Sequence, residues 1–150
     1  MSDAPAGILE TTTPERPATG FVFTEGPLWH PDGFYYFVDI RQSHLHRLVP
    51  GKEPELVRAN TGEGNGTTFD LQGRLVICEG GNRRVTPWAS PSQSQALMER
   101  LAGKPLNRPH DVVGQADGRI YFTYPRLRVR PPQRDLPAAR GLRTRPDRQA

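Results

Sequence analysis

The chain has 150 residues, a net charge of +4, 35% apolar residues, 16 prolines and 15 glycines, with a mean hydropathy of −0.66. That length suits one domain with a core, the proline and glycine content excludes long helices in favour of many turns, and no apolar run nears the ~18–20 residues of a membrane span. The basic charge is local: residues 125–150 carry +6 from eight arginines and two aspartates, leaving −2 for the first 124, so the body is not a nucleic-acid reader.

The first residues lack a basic start followed by an apolar stretch, so a soluble cytoplasmic protein without a membrane partner is expected. Residues 1–20 are small, polar and proline-containing and read as a flexible lead-in. The single cysteine, Cys78, lies inside an apolar run and reads as a buried structural thiol.

Structure begins at Phe21-Val22-Phe23, and Glu25-Gly26-Pro27 reads as a turn. Leu28-Trp29-His30 and Phe34 to Ile40 flank Pro31-Asp32-Gly33, a hairpin signal. Positions 34–38 are all apolar or aromatic, which predicts a strand buried on both faces. A third strand follows around Leu45 to Val49, and a short, exposed fourth at Glu55-Leu56-Val57-Arg58. The pattern restarts at Thr67 to Glu79, continues in Asn82 to Trp88, and restarts again at Asp111 to Thr123. Residues 96–101 could form a helical turn on pattern alone, yet their position mirrors the fourth strand of the first unit.

The restarts superpose. Trp29–Asp39, Phe69–Glu79 and Gly114–Tyr124 share a turn glycine (Gly33, Gly73, Gly118) followed by an apolar strand, at spacings of 40 and 45 residues. A period of about 40–45 residues with roughly four strands per unit is the signature of a β-propeller blade. The expected fold is therefore all-β, a partial propeller of about two and a half blades of four-stranded antiparallel sheet over residues 21–124.

Glu25-Gly26-Pro27-Leu28-Trp29, Asn82-Arg83-Arg84-Val85, Asn107-Arg108-Pro109-His110-Asp111 and Asp117-Gly118-Arg119-Ile120-Tyr121-Phe122-Thr123, in this order, resemble the N-terminal half of the SMP-30/gluconolactonase, or regucalcin-like, family. The resemblance implies a six-bladed propeller and a hydrolase acting on sugar lactones or related esters. It implies one divalent cation in the central channel, with Glu25 as its first ligand. The family has an asparagine facing metal and substrate where this chain has His110. Carboxylate and carbonyl oxygens suit calcium or magnesium, whereas an imidazole favours zinc. Arg108 resembles a substrate-contacting arginine, with Asn107 beside it. Apart from the resemblance, Asn65 in Glu63-Gly64-Asn65-Gly66 reads either as a turn asparagine or as a substrate contact at the channel mouth.

By the same resemblance the remaining ligands and the general base belong to later blades, so no catalytic residue is identified within this chain. His44 and His46 alternate onto one strand face without a third ligand nearby in sequence. After Gly33 and Gly73 the sixth residue is acidic, Asp39 and Glu79, but after Gly118 it is Tyr124. From there the Arg- and Pro-rich tail, residues 125–150, reads as disordered or as the product of a shifted reading frame. The expectation is a catalytically incomplete fragment that self-associates through open sheet edges. The alternative is a non-enzymatic binding protein with a basic tail, though no nucleic-acid recognition motif accompanies that charge.

Overall fold

A computed structural model describes residues 13–88, 95–125 and 142–144. The described residues contain only strands and turns, and none forms a helix long and apolar enough to cross a membrane. Three antiparallel sheets follow one another along the chain. The first has four strands in sequence order, β1 (Thr24–His30), β2 (Phe34–Asp39), β3 (His44–Leu48) and β4 (Glu55–Arg58). The second pairs β5 (Gly64–Phe69), β6 (Leu75–Glu79) and β7 (Arg84–Trp88). Its fourth position is taken by an extended segment whose Met98 bridges Val85, followed by the small hairpin of β8 (Arg100–Leu101) and β9 (Lys104–Pro105). Residues 96–101 thus take the place of the fourth strand and form no helical turn. The third sheet pairs β10 (Val112–Gly114), β11 (Ile120–Phe122) and β12 (Leu142–Thr144).

The tail reading falls mostly outside the described residues. Its one described part, β12, pairs antiparallel with β11, with Phe122 opposite Leu142.

Two apolar clusters fill the spaces between the sheets. Val38, Leu45, Leu75 and Ile77 join the first sheet to the second. Val76, Cys78, Val85, Leu106, Ile120, Phe122 and Tyr124 join the second to the third. Alternate residues of β6 therefore face opposite neighbours, and all five are buried. The prediction of two buried faces fits this strand and not β2. In β2, Phe34 and Val38 point inward, while Tyr35 is 41% exposed and meets Trp29 edge-on at 4.6 Å. No described sheet covers that flank. It opens instead on a groove of about 530 Å³ whose walls include Phe21, Tyr35, Phe37 and Leu48. Cys78 is fully buried, and burial pushes its thiol far above the ordinary range, with the Asp111 charge adding to the shift. This suits packing, not nucleophilic chemistry.

The innermost strands β1, β5 and β10 lie side by side with almost no side-chain volume between them. Thr67 Oγ1 donates to the Gly26 carbonyl at 2.7 Å, Gly66 N–H donates to the His110 carbonyl at 2.7 Å, and Gly114 N–H donates to Thr68 Oγ1 at 3.1 Å. A Cβ on Gly26 would stand 2.2 Å from the Asn65 carbonyl oxygen, and one on Gly66 would stand 2.6 Å from that of His110. Glu25-Gly26-Pro27 is accordingly not a turn. It is a bulge within β1, where the register slips between Glu25 and Leu28, and β5 slips in the same way between Gly64 and Thr67. A bulge bends a strand and re-aims its side chains.

Two buried carboxylates close the corners after the second strands. Asp39 accepts the backbone N–H groups of Val22 (2.7 Å), Phe23 (3.3 Å), Arg41 (3.1 Å) and Gln42 (3.2 Å). Burial raises its pKa, but these four bonds outweigh burial and hold it below the ordinary 3.8. Glu79 takes Arg84 Nε at 2.7 Å, Asn82 Nδ2 at 2.8 Å and Arg58 Nη2 at 3.3 Å. Tyr124 fills the corresponding corner of the third sheet with a buried ring.

Three substitutions test these constraints. Gly66→Ala should lower stability by about 3 kcal/mol or more in urea titrations, because backbone must move to admit the methyl group. Gly33→Ala meets no atom within 4 Å and forces only a φ of 87°. It should cost about 1 kcal/mol. Asp39→Asn should cost about 2 kcal/mol at pH 7. Because the folded pKa is depressed, the stabilisation is present above the ordinary value and lost as pH falls through the folded one. The gap between wild type and D39N should therefore close as the pH drops below about 3.8.

Candidate functional site

The bulged inner strands and the segment before β10 converge on one cavity of about 460 Å³. Four of the five residues expected at a site line it: Glu25, Asn65, Arg108 and His110. The fifth, Asn107, is buried beneath it and donates its amide to the Tyr124 carbonyl at 3.4 Å. Asn107 therefore supports the loop from below and is not among the cavity-lining side chains.

The turn-glycine spacings of 40 and 45 residues connect these positions in a way the motifs alone do not. Glu25, Asn65 and His110 occupy one repeat position, the bulge of each unit's inner strand or its approach. Phe23, Glu63 and Arg108 occupy another, two residues earlier, and also line the cavity. The wall is thus two layers deep, each layer drawing one side chain from each unit. Glu63 was not singled out from sequence, yet this spacing was sufficient to find it.

In the inner layer, the Glu25 carboxylate has no hydrogen-bond or ion-pair partner among the described residues, and it shares the cavity wall with Arg41, Asn65, Arg108 and His110. Asn65 is 7% exposed, and its Oδ1 is buried without a partner. An unpartnered buried carbonyl oxygen costs about 1–3 kcal/mol unless a ligand satisfies it. His110 is held from both sides: its N–H donates to the Thr123 carbonyl at 2.9 Å, and its own carbonyl accepts from Gly66. Its Nδ1 lies 3.2 Å from Asp111 Oδ2, which leaves Nε2 as the free ring nitrogen. In the outer layer Arg108 forms an ion pair with Glu63, across the boundary between the second and third units.

A carboxylate, an amide oxygen and an imidazole edge are donors that suit a divalent cation. They do not complete a coordination sphere by themselves, and among the described residues no three of His, Cys, Asp and Glu converge on one point. His44 and His46 form no such set either. Both ring nitrogens of His46 are buried without partners, its ring stacks on Phe37 at 5.3 Å, and its pKa is pushed down by burial and by His44 despite Asp39.

Comparison with known proteins adds three findings of one kind. A gluconolactonase of Zymomonas mobilis is 25% identical over 136 residues, covering 79% of this chain and 38% of its own length. A solved structure described as a putative gluconolactonase superposes with a TM-score of 0.79 at 28% identity, over 88% of this chain and 48% of the other. A gluconolactonase from Xanthomonas campestris superposes with a TM-score of 0.72 at 29% identity, over 84% and 45%. The chain therefore spans less than half the length of each of these relatives, and its open row of sheets is part of a β-propeller. The profile of the SMP-30/Gluconolactonase/LRE-like region matches residues 23–150, and the chain belongs to that family.

Proposed function

We propose that the cavity is part of the active site of a metal-dependent hydrolase of sugar lactones, and that this chain alone does not complete it. The observation that carries this reading is the inner layer, where Glu25 and Asn65 Oδ1 both lack partners and face the same cavity as His110. Glu25, Asn65 and His110 would hold the cation, with the Asp111 carboxylate fixing the His110 ring so that Nε2 is the donor. Calcium and magnesium suit the two oxygens, and zinc suits the imidazole. When bound, the cation supplies positive charge that polarises the lactone carbonyl.

The chain's own residues bind and orient. Arg108 offers fixed N–H donors to hydroxyl groups of the substrate, and Phe23 provides an apolar wall against its ring. The only carboxylates lining the cavity among the described residues are Glu25 and Glu63, one given to the cation and one paired with Arg108. The general base that activates water is assigned outside the described residues.

The test is calorimetric titration of the 150-residue protein with calcium, magnesium and zinc, alongside an indicator assay with glucono-1,5-lactone. One of the cations should bind, and Glu25→Gln should weaken it by about tenfold or more. Lactone turnover should not exceed the spontaneous rate. If no cation binds, or Glu25→Gln leaves binding unchanged, the metal reading fails. Cation-dependent turnover by this chain would show instead that it is complete.

A further inference from the structure

Glu63 has no part in the chemistry just described, yet its backbone is held at several points and its side chain is paired in the cavity wall. It follows β4 at the entry to β5, with a φ of 54°, a left-handed conformation uncommon for a residue with a side chain. Several elements hold it there. Its N–H donates to Ser43 Oγ at 3.0 Å, and its carbonyl accepts Gly80 N–H at 3.2 Å. On either side, Thr61 N–H donates to the Ser43 carbonyl at 2.8 Å and Gly64 N–H to Thr61 Oγ1 at 3.1 Å. A left-handed residue held by several neighbouring bonds keeps its conformation against its local cost. Here the conformation directs the carboxylate onto the Arg108 guanidinium.

The pairing decides what charge an incoming ligand meets at the outer layer, while the unpartnered Glu25 adds a negative charge in the inner one. Phe23, Glu63 and Arg108 make up the outer layer described here, with no net charge, and the donors of Arg108 that face Glu63 are taken. Arg41, the other cation lining the cavity, is exposed to solvent, where a charge is well screened. A ligand carboxylate placed against Arg108 would have to displace the Glu63 carboxylate already paired with it, and would stand beside that like charge. A neutral hydroxyl can share the remaining donors without that repulsion.

We propose that Glu63 sets ligand selectivity, cancelling the Arg108 charge so that the cavity accepts neutral polyhydroxylated ligands and turns away carboxylates. This rests on the lactone reading and deepens it. Hydrolysis adds the water hydroxyl to the acyl carbon, breaks the ring C–O bond, passes a proton to the ring oxygen, and leaves an acid that ionises. The substrate is neutral and the product anionic, so Glu63 would bias the cavity towards the one and hasten release of the other.

The experiment is an NMR titration of the 150-residue protein, in chelator and without turnover, using sodium D-gluconate and the neutral polyol D-glucitol as probes. In the wild type, gluconate should bind no more tightly than glucitol. In Glu63→Gln, gluconate affinity should rise by about tenfold, fall again in high salt, and return to the wild-type value in the E63Q/R108Q double variant. Glucitol affinity should change by less than about twofold, which a merely structural loss would not spare. The proposal is overturned if E63Q gains no gluconate affinity, if the gain survives in the double variant, or if the wild type already prefers gluconate by tenfold. That last comparison needs no variant and so does not depend on E63Q folding. Because no cation or lactone is present, these outcomes are separate from those that would overturn the hydrolase reading.

Discussion

The close approach of the innermost strands is the constraint on which the rest of the structure depends. Gly26 and Gly66 let one strand's backbone lie against the next, and the bonds from Gly66 N–H to the His110 carbonyl and from Thr67 Oγ1 to the Gly26 carbonyl hold it there. Any Cβ at those glycines would overlap backbone atoms, which cannot rotate away as a side chain can. The bulges, the direction of Glu25 and Asn65, and the narrowness of the cavity all follow from that contact.

The sheets then take their character from how many neighbours they have. The second sheet is sandwiched, and every residue of β6 is buried, including Glu79, whose charge is met by two arginines and an amide. The first sheet has a described neighbour on one side only, so β2 shows an inward apolar face and an outward aromatic one. Buried charge is tolerated at the corners because each carboxylate is fully occupied, Asp39 by backbone N–H groups and Glu79 by side chains.

Much of this was legible in the sequence because turn glycines and apolar strands are local signals. Gly33, Gly73 and Gly118 marked the units, and the strands fell close to where alternation and turn residues put them. Glu25-Gly26-Pro27 was misread as a turn because a bulge and a turn use the same residues, and only the partner strand tells them apart. The apolar run of β2 could not reveal that one of its faces lacks a described neighbour, since burial belongs to the partner and not to the run. Of the residues lining the cavity, Glu25, Arg108 and His110 stand in motifs, and Asn65 stands in a glycine-flanked segment that also reads as a turn. Asn107 differs because adjacent residues in an irregular segment can point in opposite directions. Glu63 carries no motif at all, and its meaning comes from Arg108, 45 residues away and one unit over.

In the inner layer the backbone joins the units and the side chains are left to face the cavity. At His110 the backbone does the packing, through its N–H to Thr123 and its carbonyl to Gly66, while the imidazole hydrogen-bonds to the adjacent Asp111. The same column of the repeat carries a carboxylate in the first unit and an amide in the second. The side chain in this column therefore varies from unit to unit on a frame that the backbone fixes, and exchanging one leaves the strands that carry it in their seats.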